Sequence, residues 1–247
     1  MPMSLVLRYV TVLLFATLVS GCASDPADRD LVQDPLEDVN RSIHAVNKGL
    51  DQAVLRPAAD VYDFTTPTLF KHVFGNAVSH IALPGMFVNR VLQGDAEEAA
   101  SVLGRFTVNT LYGAGGALDP ATEIGLHLSQ TDFGLTLASW GIEEGPYLEL
   151  PLFGPSTARD AVGIVVDAAL QPTTYITGGA EITVAAATVR ALDIVDKRNR
   201  NKRLIDDVLY RSEDSYVSLR TAYIQNRRRQ AAGGETNVDD LPDLFAE

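Results

Sequence analysis

The sequence predicts a mainly α-helical domain, and three observations carry that expectation. Apolar residues recur at spacings of three and four, Gly and Pro divide the chain into helix-length segments, and alternating strand patterns are almost absent. With 247 residues, 46% of them hydrophobic, there is enough apolar mass for one domain with its own core. A formal net charge of −12 argues against a bulk electrostatic grip on nucleic acid, so no nucleic-acid partner is expected.

Residues 1–21 read as an export signal, with Arg8 ahead of an apolar stretch from Tyr9 to Val19. That stretch is shorter than the roughly 20 apolar residues a membrane span needs. Val19-Ser20-Gly21-Cys22 resembles the lipobox of bacterial lipoproteins, which makes Cys22, the single cysteine of the chain, the expected lipidation site. Residue 23 is Ala, where an Asp would be the inner-membrane retention signal in enteric bacteria, so the resemblance favours the outer membrane. Residues 22–33 are polar and form a flexible tether.

Structure is expected from Asp34, where Asp34-Pro35-Leu36-Glu37 offers a capping carboxylate, a proline in the first turn and a Glu reaching back. Leu36, Val39, Ile43, Val46 and Leu50 then form one apolar helical stripe, taken as the buried face, until Pro57 interrupts it. A second helix opens at Thr66-Pro67, carries Leu69, Phe70, Val73, Phe74, Ala77, Val78 and Ile81, and ends at Pro84. Asp95 caps a third, with Glu98 three residues on and Ala99, Val102, Leu103 and Phe106 facing inward. Gly113 to Gly116 closes it as a helix-to-helix turn.

Short helical pieces are expected at Ala121 to Leu128 and Phe133 to Trp140, while Tyr147 to Leu150 alternates but is too isolated to found a sheet. Ser156 or Thr157 starts a helix with Ala161, Ile164, Val165, Ala168 and Leu170, stopped by Pro172. A longer helix from Gly179 to about Lys197 would turn Ile182, Ala185, Val189, Leu192 and Val195 inward. Two basic clusters, Lys197 to Arg203 and Arg227 to Arg229, flank a helix around Ser215 to Gln225. The helical domain is placed at 34–232 and an acidic, solvated tail at 233–247.

Local catalytic signatures are missing. His44, His72, His80 and His127 make no compact metal-ligand spacing, the third glycine of a dinucleotide loop is absent after Gly113, and no nucleophile elbow or Walker lysine appears. No metal, no cofactor beyond the covalent lipid on Cys22, and no enzymatic activity are therefore expected. The cations from Lys197 to Arg203 read either as a solvated helix end or as contacts for anionic headgroups.

Longer patterns are more informative. Asp34 to Arg41, Asn47, Leu50-Asp51 and Arg56-Pro57 are followed by Asn89 with Leu92-Gln93-Gly94, Arg105-Phe106 with Asn109, and Gly113 to Gly116 before Asp119. Phe133-Gly134, Trp140-Gly141, Gly145-Pro146-Tyr147, Leu150-Pro151, Gly154 to Thr157 with Arg159-Asp160, and Asp167 continue the order, with a weaker echo at Tyr216, Arg220, Tyr223 and Gln225. This series resembles the MlaA (VacJ) family of outer-membrane lipoproteins. The chain departs from the family pattern at His44 and Val46, where members carry aromatics before the asparagine.

The resemblance implies a single helical ring-like domain lying in the inner leaflet of the outer membrane, lipid-anchored on the periplasmic side, with an amphipathic channel. It implies removal of mislocalised phospholipids from the outer leaflet and delivery to a periplasmic lipid carrier of the Mla pathway, with trimeric porins as further partners. Asn47, Asp51, Asn89, Asn109 and Asp119 are the motif polar residues and hence candidates for the lipid path. Their other reading is helix capping and interhelical hydrogen bonding. Two other functions stay open at this point: a lipoprotein that scaffolds porins or envelope proteins without moving lipid, and a hydrolase with an unrecognised site.

Overall fold

The apolar stripe that opens the chain does lie on one helix face, but that face points outward. A computed structural model of the chain describes residues 34–170 and 180–233. It places α1 at Glu37–Leu50 with Asn40 and His44 buried and Leu36, Val39, Val46 and Leu50 exposed. Asp34 does not cap this helix: the N-cap position is Leu36, with no side-chain cap. Its carboxylate accepts from Asn40 Nδ2 at 2.8 Å, Arg220 Nη1 at 2.5 Å and the Tyr216 hydroxyl, tying the start of the domain to its last helix.

Pro57 does not interrupt the run either. A π-helical turn, π1 (Asp51–Leu55), leads into α2 (Arg56–Thr65), with Pro57 in the first turn of α2. The wider turn absorbs the missing N–H, and a first-turn proline loses no helical bond that it would otherwise make. Likewise α3 (Thr68–Gln93) runs through Pro84 for 26 residues and stops only at Gly94, whose φ of 75° is left-handed. An interior proline costs about 3 kcal/mol. Packing of α3 against α4 (Ala96–Leu111) and two further helices holds both sides of Pro84 in one element.

The Asp95 cap forms as expected, accepting from the Glu98 N–H at 3.1 Å. Ala99 and Val102 are buried, but Leu103 and Phe106 face outward and Arg105 and Asn109 take the interior instead. The glycine turn closes as a helix-to-helix turn, with the Gly116 N–H donating to Asn109 O at 2.9 Å. Of the segment expected to be helical from Ala121 to Leu128, only one turn, α5 (Pro120–Glu123), forms, because Gly125 turns left-handed at φ 84°. α6 (Phe133–Ser139) is capped by Asp132.

β1 (Tyr147–Leu150) is not isolated: it pairs antiparallel with β2 (Gly154–Thr157), Tyr147 opposite Thr157 and Leu150 opposite Gly154. The turn between them, Pro151-Leu152-Phe153, carries Leu152 in the left-handed region at φ 68°. Thr157 then caps α7 (Ala158–Leu170), accepting the Asp160 N–H at 3.1 Å. Here too Ile164, Val165 and Ala168 are exposed while Asp160 and Gly163 are buried. α6 and α7 approach so closely that a Cβ on Gly163 would lie 2.5 Å from the Gly134 nitrogen. Glycine is required there for space rather than for φ.

The chain ends with α8 (Ala180–Arg200), α9 (Lys202–Asp206), a second π turn π2 (Asp207–Arg211) and α10 (Ser215–Ala231). On α8 the expected inward face is again reversed, with Ala185, Val189 and Leu192 exposed and Asp196 and Arg198 buried. α8 packs on α2, and α10 packs on α6 and β2. The export signal, Cys22, the tether, Pro172, the Ile182 side chain and residues 234–247 lie outside the described residues. Among the described residues no helix is long and apolar enough to cross a membrane.

Candidate functional site

Asn40, His44, Asn47 and Asp51 follow one another at spacings of four, three and four, so they share one face of α1 and π1. That face meets the hairpin. Asn40 donates to Tyr147 O at 3.1 Å and accepts the Glu149 N–H at 2.9 Å, a two-way grip on the strand backbone. Asn47 donates to Leu150 O at 3.0 Å and to Glu149 Oε1 at 3.2 Å, and accepts the Leu152 N–H at 2.9 Å. The asparagine thereby holds the strained Leu152 turn against α1.

Asp51 lies one turn further on and accepts from Arg198 Nε at 2.7 Å, Arg198 Nη2 at 3.0 Å and the Tyr210 hydroxyl at 2.7 Å. Arg198 also reaches Asp206 at 2.6 Å. Burial pushes the Tyr210 hydroxyl up to about 12, and its bond to Asp51 adds to the shift. Three other basic residues of this stretch are paired as well: Lys197 with Asp193, Arg200 with Asp196 and Lys202 with Asp60.

The three remaining motif residues also join separate helices. Asn89 of α3 donates to Asp167 of α7 at 2.9 Å and accepts the Thr136 hydroxyl of α6 at 3.0 Å. Burial raises the Asp167 carboxyl above the usual carboxylate range, against the Phe133 N–H and Asn89, which lower it. Asn109 of α4 donates to Asp119 at 2.8 Å and accepts the Ala121 N–H at 3.0 Å. Asp119 takes Arg105 at 2.7 Å and caps α5. All five motif residues are therefore in one hydrogen-bonded interior, but in different parts of it.

Residues outside that set complete the polar interior. Arg227 of α10 donates to Asp160 at 2.8 and 2.9 Å and to Asp132 at 2.7 and 3.0 Å. His44, only 5% exposed, approaches Ser215 Oγ at 3.0 Å with Nε2 and has no hydrogen-bond partner at Nδ1. Glu149 is 2% exposed and accepts the Tyr147 hydroxyl at 2.5 Å. The readable signal for His44 was its place among Asn40, Asn47 and Asp51 at helical spacing on α1, whereas nothing local pointed to Glu149 on its strand or to Arg227. Among the described residues no group of three or more His, Cys, Asp or Glu is placed to hold a metal.

The outside is the complement of this interior. Phe64 is 92% exposed, and Leu69, Phe70, Leu111, Tyr112, Val165 and Val184 are all more than half exposed. Soluble monomers rarely expose contiguous apolar patches beyond a few hundred Å². Helices that bury Asn, Asp and Arg while showing Leu, Val and Phe suit an apolar surrounding, where the apolar face needs no protein partner and the polar groups must satisfy one another.

Known proteins resemble this chain in sequence and in fold. Residues 32–230 match the family model described as MlaA lipoprotein. The chain is 33% identical over 245 residues to the intermembrane phospholipid transport system lipoprotein MlaA of Shigella flexneri, covering 97% of this chain and 95% of that protein. The Haemophilus influenzae protein of the same name is 31% identical over 242 residues and is covered to 95%, as is this chain. A solved structure, from work on the "Structural basis for maintenance of bacterial outer membrane lipid asymmetry", aligns with a TM-score of 0.70 at 30% identity, covering 81% of this chain and 99% of that one. Matched along nearly its whole length by sequence and over 81% of it by fold, the chain belongs to the MlaA lipoprotein family.

Proposed function

We propose that this chain is an outer-membrane lipoprotein that takes mislocalised phospholipids from the outer leaflet and passes them to a periplasmic lipid carrier of the Mla pathway. The observation that carries the reading is the distribution of faces: many large apolar side chains of α1, α3, α4, α7 and α8 point outward, while hydrogen-bonded and ion-paired Asn, Asp and Arg share the interior with a small apolar core that includes Leu83, Val102 and Leu135. A helical body of that kind can lie in one leaflet, anchored by a lipid on Cys22, with its apolar faces against acyl chains. A phospholipid moving past it needs polar groups for its head and hydrocarbon for its tails, because a desolvated, unpaired charge is expensive. Trimeric porins are the proposed neighbours that fix its depth. No covalent step is involved.

The test is mass-spectrometric quantification of outer-leaflet phospholipid in a deletion strain, with and without the gene restored. A rise reversed by restoration is expected. An unchanged leaflet would reject transport and leave an anchored scaffold. In the same strain, Cys22→Ala should weaken membrane retention, with part of it kept through the apolar faces.

A further inference from the structure

One cavity brings together two opposite charges that pair with nothing permanent. It measures about 170 Å³ and lies between α1, the β1–β2 turn, π2 and α10. Glu149 and Lys48 both line it. Among the described residues the sole ion-pairing neighbour of Glu149 is His44, at 3.7 Å, and no carboxylate lies within ion-pair distance of Lys48. The Lys48 ammonium donates to Ser215 Oγ at 3.1 Å, which leaves it donors to spare.

His44 stands behind the Glu149 carboxylate. It is 5% exposed, lines the same cavity, and its Nδ1 has no partner. Ser215 Oγ receives Lys48 and can give its own proton to His44 Nε2, which puts the imidazole proton on Nδ1. Nδ1 lies 3.7 Å from Glu149 Oε1, so the cavity offers a ligand the Lys48 ammonium and the buried Glu149 carboxylate. Its remaining walls are apolar, from Leu50, Leu55, Leu209 and Leu219, with Leu152 and Phe153 at the exposed turn.

We propose that this cavity binds the headgroup of a zwitterionic amphiphile that carries a phosphate and a primary ammonium. The phosphate oxygens meet the Lys48 ammonium, the ligand's ammonium meets Glu149, and the first methylenes lie on the leucines. A plain anion would be repelled by Glu149 and a plain amine by Lys48, whereas a zwitterion satisfies both. A quaternary ammonium could not donate to Glu149, so an ethanolamine head is preferred to choline. The choice of a phospholipid as the source rests on the transport reading above; a soluble phosphoethanolamine compound has the same chemistry.

The experiment exchanges full-length protein in mixed detergent micelles holding equal amounts of ethanolamine, choline and glycerol phospholipids with identical acyl chains, and quantifies the lipid retained. Wild type is expected to favour ethanolamine over glycerol about tenfold, the worth of one hydrogen bond to a charged group. Glu149→Gln should bring that ratio to near one. Lys48→Gln, on a part-exposed side chain, should lower retention of all three lipids and carries the test if Glu149→Gln fails to fold. Competition by soluble glycerophosphoethanolamine would show that the head alone suffices, and its failure to compete would assign the site to the lipid. Equal retention of the three lipids by wild type, or a ratio unmoved by Glu149→Gln, would overturn the assignment and leave transport intact. Selective retention with an unchanged outer leaflet in the deletion strain would keep the cavity and reject transport.

Discussion

Two buried acidic sites, both packed against α10, are built on opposite terms. At one, Asp160 and Asp132 share the guanidinium of Arg227, and the Tyr223 hydroxyl donates to Asp160 at 2.7 Å. Burial by itself would raise the Asp160 carboxyl, but Arg227 and Tyr223 outweigh it and hold it below the usual carboxylate range. At the other, Glu149 has a hydroxyl, an amide and an imidazole around it, and no lysine or arginine. Burial and the bond to Glu149 together push the Tyr147 hydroxyl up. The first site is saturated and works as a clasp; the second keeps unused capacity beside a cavity. The contrast separates a charge that holds the fold from one free to meet a ligand.

Breaking the clasp should give the largest effect. Arg227→Leu takes from Asp132 and Asp160 the cation they share and leaves the buried Asp160 only the Arg159 cation at 3.3 Å, a loss of about 3 kcal/mol in unfolding free energy, the lower end for a broken buried pair. Its pH dependence has a definite sign. In wild type, the stabilisation from Asp160 is complete above the unfolded carboxyl value of about 3.9 and is lost as pH falls through the depressed folded value. In the variant only Tyr223 and Arg159, whose Nε lies 3.3 Å from Asp160 Oδ1, still oppose burial, so the folded value moves up and protonation on acidification relieves the repulsion. The gap between variant and wild type should therefore narrow from pH 7 toward pH 4 in chemical denaturation; a gap that widens would mean that Arg227 does not hold Asp160 ionised.

Asp51→Asn tests an intermediate case. Arg198 would lose its two bonds to the carboxylate but keep Asp206 at 2.6 Å, so its charge stays compensated. A loss of about 1–3 kcal/mol is expected, the range for hydrogen bonds to charged groups. A loss as large as that of Arg227→Leu would show that Asp206 cannot support Arg198 alone.

Element positions were legible because amphipathic period, caps and glycine stops are local. Asp95, Thr157 and the turn at Gly113 to Gly116 act as their residue types require. Which face is inside was not legible from periodicity. Leu36, Val39, Val46 and Leu50 make a regular stripe, and so do Asn40, His44, Asn47 and Asp51. A helix with two stripes specifies its own interior only once its solvent is known, and reading water as that solvent turned the interior outward on α1, α4, α7 and α8. The same polar stripe shows why Pro57 and Pro84 misled: long-range contacts of α1 to α3 outvote a local breaker. The motif residues were visible, but their partners were not. Arg198 lies 147 positions from Asp51 and Glu149 lies 102 from Asn47, separations that no local pattern spans.

The smallest stability change is expected at the open site. Glu149→Gln removes a buried charge while keeping an acceptor for the Tyr147 hydroxyl, and it orphans no lysine or arginine, because none lies within ion-pair distance of Glu149. Lost hydrogen-bond strength and relieved desolvation then oppose each other, and the net change in unfolding free energy should stay within about 1 kcal/mol. Thermal or urea unfolding beside Arg227→Leu checks the ranking. A Glu149→Gln loss equal to that of Arg227→Leu would make Glu149 a second clasp. A small loss accompanied by changed lipid retention would mean that burial at this site serves the cavity, since a structural carboxylate cannot be neutralised without being missed.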